Sequence, residues 1–167
     1  MTLILSPTSF SDLTNNLEYC DALFILHQQQ LMHKNMEQAL HLFEQLLQIR
    51  SVHLDIMEKL LVPAFIEISD PIPEGAKPLY FEREKKQILK FLKKYVRKVA
   101  NVVLHSEPLD IVVLFEHYVW LKDLLDHHDA REKAFLFPAL DTKQFSGKKG
   151  LLNKTIKRLN SLENNAL

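Results

Sequence analysis

The sequence predicts an all-α protein, an up-down-up-down four-helix bundle with a short C-terminal helix. The 167 residues include only three glycines, which are too few for the tight turns of an all-β fold. Four long stretches carry apolar residues at helical spacing, and no stretch alternates convincingly as a strand does. Short connections separate these stretches, as in a bundle whose neighbouring helices are antiparallel.

The first predicted helix covers about residues 8–32, and the second covers about residues 35–62. A serine–proline pair precedes the first helix and favours its start. Asn35 opens the second helix and resembles part of a capping box, because a glutamine follows three residues later. The apolar stripe of the first helix includes His27, and that of the second includes His53. We therefore expect both histidines to face the core.

A proline-rich loop at residues 69–78 leads to the third predicted helix, about residues 78–104, and the fourth covers about residues 109–137. Lys85 lies on the apolar stripe of the third helix. His27 and His117, on the fourth helix, lie towards the same end of the predicted bundle. We expect them either to form a polar pair or to be hydrogen-bonded separately in the core. The polar residues on the stripe of the fourth helix are His117, His128 and Glu132.

These helices make up the predicted bundle, residues 1–140, and a basic linker with a short amphipathic helix occupies residues 141–167. The tail helix covers about residues 151–162. Its apolar face favours docking onto the bundle over binding to a membrane. The basic residues of this tail are Lys143, Lys148, Lys149, Lys154, Lys157 and Arg158.

The chain start and the cysteine content narrow the class of protein. No apolar run approaches the roughly 18 residues of a transmembrane helix, and the first residues do not resemble a signal peptide. Cys20 is the single cysteine, so no internal disulfide can form. We therefore expect a cytoplasmic protein. Because Cys20 lies mid-helix on an apolar stripe and no phosphate-binding glycine loop is present, the sequence does not favour an enzyme with a nucleophilic residue.

The second and fourth helices match each other when one is shifted by 75 residues. His53 then falls on His128 and Met57 on Glu132, and each histidine precedes a helix-ending proline by ten residues. His128 and Glu132 are four residues apart, so their side chains lie on one helical face. Inward-facing histidines and carboxylates on facing helices are typical of di-iron sites in bundle cores.

The segment from His127 to Leu140, HHDAREKAFLFPAL, resembles the helix-ending motif of the hemerythrin-like, or HHE cation-binding, domains. The segment from His53 to Phe65 is a weaker copy with the same spacing to proline. The resemblance covers about residues 8–140. It implies a four-helix bundle that, in intact members, binds a non-haem di-iron centre for oxygen carriage, sensing or iron handling.

Other positions depart from the family pattern. The resemblance implies a bridging carboxylate where this chain has Met57, with Glu58 beside it as a weak substitute, and a histidine in the third helix where Lys85 stands on the stripe. Met57 and Lys85 are therefore predicted to block a metal site. We expect no metal or less than stoichiometric metal, and iron if a metal binds. The candidate metal ligands are His53, His128 and Glu132.

Three functions are compatible with this pattern. The first is a binding or regulatory module with a partly lost di-iron site, in which Lys85 supplies the positive charge beside Glu132 in place of a metal. The second is a true metal-binding protein that senses iron, oxygen or NO through the three candidate ligands, assisted by Asp12, Glu58 or Glu84. The third is a plain protein-interaction bundle.

The net charge is zero, but the charges are unevenly distributed. Residues 1–75 contain ten acidic and three basic side chains, and residues 76–167 contain eleven acidic and eighteen basic ones. This asymmetry favours packing of the two hairpins against each other, or head-to-tail pairing of two chains. The basic surfaces lack interleaved aromatic residues and disfavour nucleic acid as a partner. A protein partner and a homodimer stay open.

Overall fold

Helices make up most of the chain in the computed structural model, which describes residues 3–105, 108–142 and 145–164. No strand occurs in these three ranges, and the predicted all-α class is confirmed. Lys143 lies outside them. The α-helices, in chain order, are α1 (Leu13–Met32), α2 (Met36–Ile56), α3 (Val62–Ile68), α4 (Pro78–His105), α5 (Pro108–Arg131), α6 (Phe137–Leu140), α7 (Lys148–Leu159) and α8 (Ser161–Asn164).

One helix start and one helix cap differ from the prediction. Helix α1 begins five residues later than expected, because the Asp12 carboxylate accepts hydrogen bonds from the backbone N–H groups of Thr8 and Ser9, at 2.7 and 2.9 Å, and holds this segment in a turn. Asn35 precedes α2 but forms no capping hydrogen bond; its amide group donates to the side chain of Gln30 instead. Local polar contacts therefore replace the predicted first turn and the predicted capping box.

Two π-helical turns interrupt the helices that carry the repeat. Met57–Leu61 joins α2 to α3, and Glu132–Leu136 joins α5 to α6. In each turn, the backbone N–H of the next residue donates to the carbonyl five residues earlier. Pro63 and Pro138 come directly after that residue, and a proline in a regular α-helix clashes with the carbonyl four residues back. The wider turn accommodates the proline. The prediction that the prolines end the helices is therefore wrong, because the helical backbone continues to Ile68 after Pro63 and to Leu140 after Pro138. The 75-residue repeat thus extends to the backbone geometry.

The four long helices pack as a helical bundle. Helix α2 contacts α1 and α4, and α5 contacts α4 and α1. The buried apolar residues form two clusters: one includes Phe43, Leu92 and Leu121, and the other includes Leu61 and Phe137. Along α5, the buried residues between Leu125 of the first cluster and Leu136 of the second are polar, and α2 contributes the buried polar residues Arg50 and His53. The core is therefore divided by a polar layer.

The C-terminal helix α7 packs on the bundle, as predicted for an amphipathic tail. It contacts α2 and the first π-helical turn, with Thr155 and Leu159 buried. Arg158 forms an ion pair with Asp55 on α2. The helix begins at Lys148, three residues earlier than predicted. None of the described helices is both long enough and apolar enough to cross a bilayer.

Candidate functional site

The polar layer consists of five side chains at the level where the two repeats face each other. Helix α2 supplies two of them, α5 supplies two, and the second π-helical turn supplies the fifth. All are almost completely buried. Burial of this many titratable groups is costly unless each finds a partner. The five residues are Arg50, His53, His128, Asp129 and Glu132.

The carboxylate of Glu132 joins the two repeat-related histidines. His53 donates from Nε2 to Oε2 of Glu132 at 2.7 Å. Nε2 of His128 lies 2.8 Å from the other oxygen, Oε1, in an ion-pair contact that lacks hydrogen-bond alignment. The structure thus brings together the three residues that the sequence singled out as candidate ligands.

The other nitrogen of His128 reaches a second carboxylate. Nδ1 donates to Oε2 of Glu84 on α4 at 3.0 Å. Arg131 binds the same carboxylate, with Nη2 2.9 Å from Oε1, and its guanidinium lies over the ring of Tyr80. A continuous chain of contacts therefore runs from Arg131 through Glu84, His128 and Glu132 to His53.

The carboxylates set the protonation of His128. Burial alone would lower the pKa of His128, but the charge of Glu132 and the contacts with Glu132 and Glu84 raise this pKa to about 9. Burial alone would raise the pKa of Glu132, but His53 and His128 hold it well below its ordinary range. The pKa of Glu84 is likewise lowered, against its burial, by His128 and Arg131. At neutral pH, His128 is therefore a cation held between two carboxylates.

Arg50 and Asp129 form a second ion pair in the layer. Two parallel hydrogen bonds of 2.6 and 2.7 Å join the guanidinium to the carboxylate. Burial opposes the charge of Arg50, but Asp129 outweighs it and raises the pKa of Arg50 above its ordinary value. Glu84 likewise contacts Arg131 and His128, so each of the three carboxylates has a cationic partner.

Glu58 and Lys85 pair with each other and not with the layer. Glu58 is 46% exposed, and its carboxylate contacts the ammonium group of Lys85, which is 16% exposed. Lys85 therefore does not supply the positive charge beside Glu132. Protonated His128 does so, because the i,i+4 spacing on α5 places its ring against that carboxylate. Asp12, a further candidate, is engaged at the start of α1.

A cavity of about 330 Å³ lies beside the layer. His128 and Lys85 contribute to its lining, together with Glu58 and Glu82. Met57, the residue at the position of the implied bridging carboxylate, is buried in its wall. The remaining wall is apolar and includes Leu54, Val62, Ile66, Pro78 and Phe81.

Sequence reasoning did not identify Arg50, Asp129 and Arg131. Arg50 carried a usable signal, because it lies between Leu46 and His53 on the apolar stripe of α2, where a charged residue implies a buried partner. Asp129 and Arg131 carried no comparable signal, since they flank His128 among other polar residues.

The histidines at the other end of the bundle do not pair. His27 is buried, donates from Nδ1 to the carbonyl of Ala39 and accepts at Nε2 from the hydroxyl of Tyr118, both at 2.7 Å. Burial lowers the pKa of His27 to about 4. The sequence predicts His117 on the core face, but the structure shows that this side chain is only partly buried, and it donates to the carbonyl of Val113 on its own helix at 2.6 Å. His27 is thus a neutral, fully bonded core histidine, the second of the two arrangements expected from the sequence.

Cys20 has the environment of a structural thiol. It is buried, and the burial raises the pKa of its thiol to about 11. A neutral thiol is a poor nucleophile. This agrees with the expectation from its place on the apolar stripe.

The residues present do not fit an ordinary di-iron centre. The imidazoles of His53 and His128 are engaged by Glu132, and a thioether and an ammonium group stand at Met57 and Lys85. In the part of the chain that the structure describes, no group of three or more histidine, cysteine, aspartate or glutamate side chains has an arrangement able to hold a metal ion. No family model, curated protein or solved structure matches the chain.

Proposed function

We propose that this chain is a hemerythrin-like, up-down-up-down bundle with a partly lost di-iron site that acts as a binding or regulatory module. The observation that carries the proposal is the position of Glu132, whose two oxygens lie within 2.8 Å of the imidazoles of His53 and His128. The sequential contacts of α1 with α2, α2 with α4 and α4 with α5 support the up-down order of the helices.

The ion pairs around Glu132, Glu84 and Asp129 support this proposal. Glu132, Glu84 and Asp129 each have a cationic partner. A divalent cation at Glu132 would have to displace the proton of His128 and break the contact with His53. Because metal ligands must give up their protons, a histidine with a raised pKa binds a metal less readily. The ion pairs therefore stabilise the core in the role that the resemblance assigns to a metal.

Metal content tests the proposal. The chain is expressed in iron-supplemented medium, purified without oxygen, and analysed by elemental analysis and by an optical scan for iron-oxo bands. We expect iron well below one atom per chain and no such bands. Two iron atoms per chain, lost in the His53→Ala variant but kept in a His41→Ala control on the exposed face of α2, would instead establish the metal-binding alternative built on His53, His128 and Glu132.

A protein-interaction bundle is the second candidate, and the outer face of α5 favours it. Large apolar side chains are exposed there, and Trp120 is 73% exposed. Patches of this kind mark interaction sites on soluble proteins. A second copy of the chain is the first partner to examine, because an apolar face can pack against the same face of another copy in a symmetric dimer. The exposed apolar residues of this face are Leu109, Val112, Val113, Val119 and Trp120.

Sedimentation of the wild type and of a Trp120→Ala variant tests self-association through this face. A dimer that dissociates in the variant supports the second candidate. A wild-type chain that stays monomeric at all concentrations rules out self-association through α5.

A further inference from the structure

We propose that the cavity beside the polar layer binds a small amphipathic carboxylate, with its anionic head at Lys85 and its apolar body against the walls formed by Leu54, Met57 and Phe81. This inference rests on the proposed function as a binding module, for which it names the ligand class.

The cavity has the size and lining of a small-ligand site. Its volume of about 330 Å³ lies at the lower end of the range for ligand pockets, roughly 300–1,000 Å³. Its walls come from α2, the two segments that follow α2, the first two turns of α4, and His128 of α5. A mostly apolar wall with few polar groups is the usual design of such a site, because the wall supplies affinity and the polar groups fix the orientation. A short hydrocarbon chain matches this lining.

The charges around the cavity are arranged by depth. Lys85 is only 16% exposed, whereas its partner Glu58 is 46% exposed and Glu82 is 52% exposed. His128, which also contributes to the lining, is almost completely buried. The ammonium group of Lys85 is therefore better shielded from water than the two carboxylates. An anionic head that enters the cavity meets Lys85, whereas an amine would be repelled by it.

Glu58 occupies the place that the ligand's carboxylate would take. Its carboxylate contacts the Lys85 ammonium group from the solvent side. Exchange of Glu58 for a ligand carboxylate keeps Lys85 paired and returns a half-exposed glutamate to water, which is a small cost. The new ion pair would be shielded by the apolar body of the ligand, and shielding strengthens the attraction between charges. The exchange therefore favours an anion that carries a hydrocarbon chain over a small inorganic anion.

Calorimetric titration with three probes of equal chain length tests the ligand class: octanoate, 1-octanol and octylamine. We expect wild-type protein to bind octanoate more tightly than octanol, and octylamine most weakly. Lys85→Met keeps the aliphatic stem and removes the charge. It should weaken octanoate binding by about tenfold or more, as expected for loss of a charge-assisted hydrogen bond, and leave octanol binding nearly unchanged.

Two further variants complete the experiment. Lys90→Met is the matched control, because this lysine is exposed on the same helix and does not line the cavity; it should bind octanoate like the wild type. Ile66→Trp fills the cavity from an exposed position and should abolish binding of both octanoate and octanol without disturbing the buried core.

Three outcomes would overturn the inference: no octanoate binding by the wild type, unchanged octanoate binding by Lys85→Met, or tighter binding of octylamine. Metal content is determined on the same protein. Iron-free protein that fails to bind octanoate refutes the ligand class and leaves the proposed function standing. Protein with two iron atoms per chain refutes the proposed function, whatever the titrations show.

Discussion

Individual charged residues of the polar layer are stable only in pairs. Arg50 and Asp129 are fully buried and joined by two hydrogen bonds. Their attraction offsets the cost of removing both charges from water, and loss of one partner leaves the other charge buried and unpaired. The repeat shows that leucine fits at equivalent positions. Under the 75-residue shift, Arg50 corresponds to Leu125 and Asp129 corresponds to Leu54, and both leucines are buried.

Substitution of one partner should therefore destabilise the chain more than substitution of both. We expect Asp129→Leu to lower the free energy of unfolding by about 3–5 kcal/mol, and the double variant Arg50→Leu with Asp129→Leu to recover most of that loss. Urea unfolding followed by circular dichroism measures both. A double variant less stable than the single one would show that the pair is required for reasons beyond charge balance.

The raised pKa of His128 depends on Glu132. We expect Glu132→Gln to lower this pKa from about 9 towards the ordinary histidine value of about 6.5, because the amide keeps the shape of the side chain and removes its charge. NMR titration of the imidazole Cε1–H signals measures the change. Glu82→Gln, an exposed glutamate on the same bundle level, is the control. An unchanged pKa in Glu132→Gln would assign the shift to Glu84 alone.

Among the structural elements, the π-helical turns place the first residue of each turn at the layer. Met57 and Glu132 are equivalent in the repeat, and both are buried. One turn presents a thioether to the cavity and the other a carboxylate to the histidines. The same π-helical backbone therefore places an apolar side chain in one repeat and a charged side chain in the other.

Helix α7 contributes to the stability of the bundle through its buried residues. Leu159 is buried in the cluster that also contains Met57 and Leu61. We expect Leu159→Ala to lower the free energy of unfolding by about 2–5 kcal/mol, as a buried leucine in a packed core does. The exposed control Lys154→Ala should change it by about 0.5 kcal/mol or less. Equal stability of the two variants in urea unfolding would mean that α7 is not docked in solution.

At the scale of the whole molecule, ion pairs connect the acidic and basic halves of the chain. Lys85 pairs with Glu58, Arg158 with Asp55, and Lys122 with Asp21. Each pair joins an acidic side chain from residues 1–75 to a basic one from residues 76–167. The charge asymmetry is thus used within one chain, the first of the two arrangements that the sequence favoured. These partly exposed pairs add little stability in water. The buried pair of Arg50 and Asp129 has the opposite sense, because it joins a base of the acidic half to an acid of the basic half.

Two histidines at different levels of the bundle set the pH range of stability. The pKa of His128 is raised to about 9, so its contribution is complete below about 6.5 and is lost as the pH rises through 9. The pKa of His27 is lowered to about 4, so its contribution is complete above about 6.5 and is lost as the pH falls through 4. Stability should therefore be greatest near pH 6.5.

Urea unfolding at a series of pH values measures this profile. We expect His27→Gln to flatten the decline between pH 6.5 and 4.5, where carboxylates do not yet titrate strongly. Glu132→Gln should flatten the decline between pH 6.5 and 9. A profile that is level from pH 4.5 to 9 in the wild type would contradict both assignments.

Much of the fold was predictable because its signals are local. The long helices, the repeat and the burial of His53, His128 and Glu132 follow from helical periodicity and proline positions. The pairing of Lys85 with Glu58 could not be predicted, because a long side chain on the apolar stripe can turn towards either of two neighbouring helices. The burial of Arg50 could have been predicted from its place on the apolar stripe, but its pairing with Asp129 could not.

The sequence by itself determined the all-α class, the faces that enter the core and the equivalence of two helix ends. These depend on the spacing of residues along one helix, and the 3.6-residue period of the helix makes that spacing sufficient. The tertiary structure alone decided that Glu132 contacts both histidines, that Glu84 holds His128 from the other side, and that Lys85 turns to Glu58. Such contacts depend on the rotation and axial shift of neighbouring helices, because an ion pair needs its atoms within about 4 Å. The periodicity of the sequence determines neither the rotation nor the axial shift.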